Sequence, residues 1–131
     1  MRAAGAVLGL LAVASCAGGY GGPVHVLDCG RELYGHGEGY DERARTCLAD
    51  EHGRGSRARF TTTLLTIEGD PITYAVTTAP DGLVVEVDSR DKFGYQGTAT
   101  VRCTELRRVQ GDRVRFVLSP CAHDRFREIS F

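Results

Sequence analysis

From Phe60 onward, apolar side chains return at every second position. Residues 60–67 are rich in Thr, Leu and Ile; Ile72, Tyr74, Val76 and Thr78 alternate with Thr73, Ala75 and Thr77; Leu83, Val85 and Val87 alternate with Val84, Glu86 and Asp88. A period of two belongs to a strand with one buried face, so three strands are predicted, with turns at Gly69-Asp70-Pro71 and Pro80-Asp81-Gly82. Two more follow over residues 97–109 and 114–118, joined around Gly111-Asp112. Upstream the period changes: Tyr40, Ala44, Cys47 and Leu48 recur at spacings of three and four, while Asp41, Glu42, Arg43, Arg45 and Asp50 are expected to face outward. This predicts one helix of about three turns, ended by Gly53. Residues 53–59 read as a basic, solvated connector. The tail 123–131, which mixes charge with Phe126, Ile129 and Phe131, fits either a final strand or a docked cover. The pattern as a whole predicts an α+β fold: an antiparallel meander of about five strands with one short helix packed on one face.

The N-terminus has a pattern of its own. Met1-Arg2 is followed from residue 3 to residue 14 by nothing but Ala, Gly, Val and Leu. Such a charged start and short apolar run is that of a secretory signal, too short for the roughly 20 residues that span a bilayer. Val13-Ala14-Ser15-Cys16 resembles the bacterial lipobox, in which small residues precede a cysteine whose thiol takes up a diacylglyceryl group. The expectation is a signal peptide over residues 1–15 and a lipid carrying fatty acids such as palmitate on Cys16. A Gly-rich tether would occupy residues 16–23, and one extracytoplasmic domain residues 24–131. The predicted address is the outer side of a bacterial membrane, reached through the lipid.

With Cys16 assigned to lipid, Cys29, Cys47, Cys103 and Cys121 remain, an even number in an exported chain. Cys29 with Cys47 and Cys103 with Cys121 is the simplest of the three pairings, since each closes a local loop. Hairpin geometry agrees for the second pair, because Cys103 and Cys121 are equidistant from Asp112 in the turn. A zinc site using His25, His36, His52 or His123 is the competing arrangement. No two cysteines have the short gap of a structural zinc site, so no metal and no cofactor are predicted.

Charge narrows the classes further. The chain has 16 basic and 17 acidic residues and a formal net charge of -1, with no electrostatic footprint for nucleic acid. Lys92 is the sole lysine. Gly35-His36-Gly37-Glu38-Gly39 lacks the third glycine of a dinucleotide fingerprint and reads as a plain loop. No Gly-x-Ser-x-Gly elbow or His-Glu-x-x-His occurs, and Ser119 and His123 near a strand end need not converge, so no catalytic residue is assigned.

A meander brings alternate turns to the same end of its sheet. Residues 66–72 (TIEGDPI) and 88–94 (DSRDKFG) therefore meet, gathering Glu68, Asp70, Asp88 and Asp91 around Arg90 and Lys92. These two stretches resemble a family of small bacterial lipoproteins known only as a domain of unknown function. Its pattern has a short helix, an E-G-D-P-I turn, an R-D-x-F-G turn, a strand cysteine and a late cysteine, matched here by Cys103 and Cys121. The likeness covers about residues 36–121; Cys29 and the Arg-rich connector depart from it. The resemblance supports address and fold and implies no activity.

Three roles compete for the cluster. Arg90 can fasten the turns by pairing with Glu68 or Asp70. Flanked by Tyr74 and Phe93, it can hold a carboxylate or phosphate of an envelope ligand, while the acids take calcium. Two carboxylates in unlike environments can act as general acid and base. The sequence favours a lipid-anchored, non-enzymatic binding or structural module with an envelope ligand or protein partner. A hydrolase using the carboxylates is the alternative.

Overall fold

A computed structural model describes residues 21–131. The predicted signal segment and Cys16 lie outside the described residues.

One helix and seven strands follow in the order β1 (Leu27–Tyr34), α1 (Glu42–Gly53), β2 (Ala58–Leu65), β3 (Pro71–Ala79), β4 (Gly82–Arg90), β5 (Gln96–Val109), β6 (Arg115–Cys121) and β7 (Ile129–Ser130). The strands form one sheet in chain order. The five predicted strands are all present, but a clean five-stranded meander is not: the sheet has two further strands, and its first pair is parallel. A parallel neighbour requires a long crossover, here the segment carrying α1. Every later pair is antiparallel and joined by shorter connections.

The two additional strands lack the signal that betrays the others. In β1 the register slips between Asp28 and Gly30, and Gly30 adopts φ +112°. A bulge of this kind breaks the two-residue period. β7 is only two residues long, yet Ile129 and Phe131 are buried and the backbone N–H and C=O of Phe131 pair with those of Phe116. The tail is thus both a strand and a plug.

Helix α1 starts where its cap dictates, with the Asp41 carboxylate accepting from the Ala44 N–H at 3.0 Å. Gly53 is its last residue, but the stop is made two residues later by Gly55 at φ +70°, whose N–H donates to the His52 carbonyl. Ala44 and Leu48 join the buried cluster formed by Phe60, Val76, Val85, Val101, Phe116 and Leu118. Arg45, expected to face outward, is instead 1% exposed. It sits on the apolar stripe because Ala44, Leu48 and Arg45 share one side of the helix at spacings of one, three and four.

β5 turns the sheet into an enclosure. Its first half pairs with β4 up to Cys103, and its second half pairs only with β6 from Cys103 onward. The β5–β6 ribbon leaves the main sheet at that corner and reaches the far end of β1, where Arg113 Nη1 donates to the Tyr34 hydroxyl at 2.9 Å and Val114 N to the Tyr40 hydroxyl at 2.5 Å. Phe131 lies inside, its ring 6.2 Å from Phe60, 6.1 Å from Tyr74 and 5.7 Å from Phe116. Disulfides join Cys29 to Cys47 and Cys103 to Cys121. The first fixes α1 to β1 and the second staples the corner.

Buried among these parts is an ion pair. Arg45 Nη2 donates to Glu32 Oε1 at 2.5 Å and its Nη1 to the Val114 carbonyl at 2.9 Å. Glu32 also accepts from Thr62 Oγ1 and from the Asp41 N–H, both at 2.8 Å. The guanidinium carbon lies 5.1 to 6.0 Å from the ring centres of Tyr34, Tyr40, Phe60 and Phe131. Helix, edge strand and ribbon therefore meet on one charged side chain, which α1 supplies and which donates to Glu32 of β1 and to the Val114 carbonyl.

Candidate functional site

Alternation along β4 fixes which side chains reach the predicted cluster. Leu83, Val85, Val87 and Ser89 are buried, so Glu86, Asp88 and Arg90 stand on the outer face. Tyr74 lies opposite Val87 and stacks on Phe131, which places it on the core side. Tyr74 does not flank Arg90; one step of parity separates them. Burial also raises the Tyr74 hydroxyl pKa above its usual range.

The two turns do meet at one end of the sheet. In the first, Gly69 N donates to the Thr66 carbonyl at 2.9 Å with Gly69 at φ +86°, and Asp70 N donates to Thr66 Oγ1 at 3.0 Å. In the second, Phe93 N donates to Asp91 Oδ1 at 2.9 Å, and a Cβ on Gly94 would lie 2.4 Å from Asp91 Oδ2. Asp91 is therefore spent on shaping its own loop.

Asp70 links the turns. Its Oδ2 accepts from the Lys92 backbone N–H and its Oδ1 faces Lys92 Nζ, each at 3.2 Å. The carboxyl is held below its usual pKa, first by the backbone N–H and then by the ammonium, against an opposing push from lost solvent. The cation across the turns is thus Lys92, not Arg90. Arg90 pairs along its own strand with Asp88 at 3.5 Å, both side chains well exposed, an arrangement worth about 0–1 kcal/mol. Asp70, Asp88, Arg90 and Lys92 line a shallow groove of about 540 Å³ together with Ser89, Gln96, Gly97 and Thr98. Glu68, Asp91, Tyr74 and Phe93 are not among its walls.

Two large apolar side chains are exposed here: Phe93, already a candidate from the sequence, and Ile67, which the sequence missed. Ile67 is 92% exposed and Phe93 80% exposed, one in each of the clamped turns. Ile67 read as the end of a strand; it lies two residues beyond the last residue of β2.

All four cysteines of the described domain are in disulfides, and no group of three His, Cys, Asp or Glu among the described residues is placed to hold a metal. His123 Nδ1 accepts from the Arg125 N–H at 3.2 Å and stays in its own loop. Among the described residues no helix is long and apolar enough to cross a membrane. Comparison with protein-family models, with curated proteins and with solved structures finds no match for this chain.

Proposed function

We propose that this chain is a lipid-anchored protein of the bacterial cell envelope, held through Cys16, whose turn end is a non-enzymatic contact surface for a protein partner. The observation carrying this reading is the Asp70–Lys92 clamp, which spends the charges of two turns on each other and leaves Ile67 and Phe93 in solvent. Exposed large apolar groups held by a rigid frame are features of contact surfaces. Asp70, the most enclosed acid of the cluster, is held below its usual pKa by Lys92, which favours an ion-pairing role over that of a general acid. The resemblance of the two turns to uncharacterised bacterial lipoproteins supports the address.

Topology adds an orientation. β1 runs parallel to β2 and starts at the end of the sheet remote from the turn after β2. In this reading the tether meets the domain near the start of β1, about 25 Å, the length of an eight-residue strand, from the turn end, which supports a contact surface that can reach away from the membrane. A photo-crosslinker at position 93, in cells of the source bacterium, should give one discrete adduct that Ile67→Ser reduces. The same label at Arg107, on the ribbon, should give none. Equal adducts at both positions would sink the assignment.

A further inference from the structure

A second groove lies at the opposite end of the sheet, and its charges are unspent. It holds about 640 Å³ and is walled by Arg57, Arg102, Asp81 and Thr104, with Ala79, Gly82 and Val84 among its smaller lining residues. The ion pairs of the described residues engage Arg45, Arg54, Arg59, Arg90 and Lys92, leaving Arg57 and Arg102 without a carboxylate partner. Asp81 lines the same groove and is likewise unpaired.

The fold keeps these charges apart. Arg57 precedes β2 and Arg102 is on β5, opposite Val84 of β4. Two strands, β3 and β4, lie between them in the sheet, with Asp81 in the hairpin turn that joins those strands. The lining between the two arginines is small. A Cβ at Gly82, where φ is +139°, would lie 2.7 Å from the Cys103 carbonyl, so the hairpin packs tightly on β5 and leaves the space above it open.

We propose that this groove binds a phosphate group carrying neighbouring hydroxyls, as in a glycerol phosphate. The two guanidiniums take the phosphate oxygens from either side, and the Asp81 carboxylate accepts from a hydroxyl. A simple anion would use the arginines and be repelled by Asp81, whereas a polyol phosphate uses all three. The volume suits a small ligand. The groove lies at the tether end of the sheet, where Leu27 N donates to the Arg57 carbonyl at 2.9 Å, so a phosphoglycerol lipid headgroup and a soluble polyol phosphate are both in reach.

The exported chain carrying Cys16→Ser is titrated with glycerol 3-phosphate, inorganic phosphate and glycerol, followed by backbone amide NMR. Saturable shifts confined to residues 79–84, 102–104 and 120–122 are expected, with glycerol 3-phosphate tighter than phosphate. Arg57→Gln and Arg102→Gln should each weaken binding about tenfold or more, the usual loss for one charge-assisted contact. Asp81→Asn should erase the preference for glycerol 3-phosphate over phosphate. Vesicles of phosphatidylglycerol, against phosphatidylcholine, separate the sources: retention that glycerol 3-phosphate competes away assigns a lipid headgroup, and none assigns a soluble ligand. No saturable shift by about 10 mM, or unchanged affinity in both arginine variants with an otherwise native spectrum, overturns the site.

Discussion

Arg45 shows how much one side chain can decide. It is a strong helix former with a long stem, and nothing in its local context forbids solvent. Its burial follows from Glu32, whose side chain is 0% exposed and whose oxygens receive four distinct donors from Arg45, Thr62 and the Asp41 backbone. Removing the guanidinium strands that carboxylate. Arg45→Met should cost about 3–5 kcal/mol in urea unfolding, the range for breaking one partner of a buried pair. Adding Glu32→Gln to Arg45→Met should recover part of the loss; a double variant with the summed cost of both singles would show that the two do not act as a unit. Tyr74 couples burial to pH. Its hydroxyl ionises less readily folded than unfolded, so the unfolded chain loses its proton first and stability declines as pH rises past about 10. Tyr74→Phe keeps the ring on Phe131 and should flatten that alkaline decline.

At the scale of elements, the joints matter more than the strands. The turns after β2 and β4 are built separately, each by its own side-chain cap, and Asp70 then couples them through Lys92. Because the Asp70 carboxyl binds protons less readily in the folded chain than in the unfolded one, the unfolded state gains protons first on acidification. The contribution is complete above about pH 4 and fades as pH falls through the lowered value. Asp70→Asn should remove that acid-dependent component, read as a smaller drop in stability between wild type at pH 6 and pH 3. The corner at Cys103 is the other joint. Each disulfide closes a sequence separation of 18, for which chain-entropy reasoning gives about 3 kcal/mol. Replacing Cys29 and Cys47 with Ala should cost that amount, because the unfolded chain regains the freedom that the cross-link removed. An unchanged urea midpoint would show that the buried ion pair alone holds the helix.

For the whole molecule, the proposed anchor sets the frame in which both ends of the sheet acquire meaning. Cys16→Ala should abolish fatty-acid labelling and move the protein from the membrane to the soluble fraction; labelling that persists would remove the orientation argued above. Much of the rest was legible in the residues themselves. Strict alternation in β2 to β4, the three-and-four spacing around Ala44 and Leu48, and cysteines symmetric about Asp112 are local signals, and each is written in consecutive residues. They indicated the helix, five strands, the Cys103–Cys121 disulfide and the meeting of the two turns, while Cys29–Cys47 was only the simplest of the possible pairings. Tertiary structure decided what depends on distant neighbours. Gly30 let β1 bulge and lose its period, yet backbone pairing with β2 made it a strand. Parity put Tyr74 inside and Arg90 outside, and Lys92 rather than Arg90 lay within reach of Asp70. Arg45 and Phe131 went inward because the sheet folds at Cys103 and brings Val114 and Phe116 back over them. A residue's periodicity reveals the face it occupies; what stands opposite that face is set by how the sheet closes.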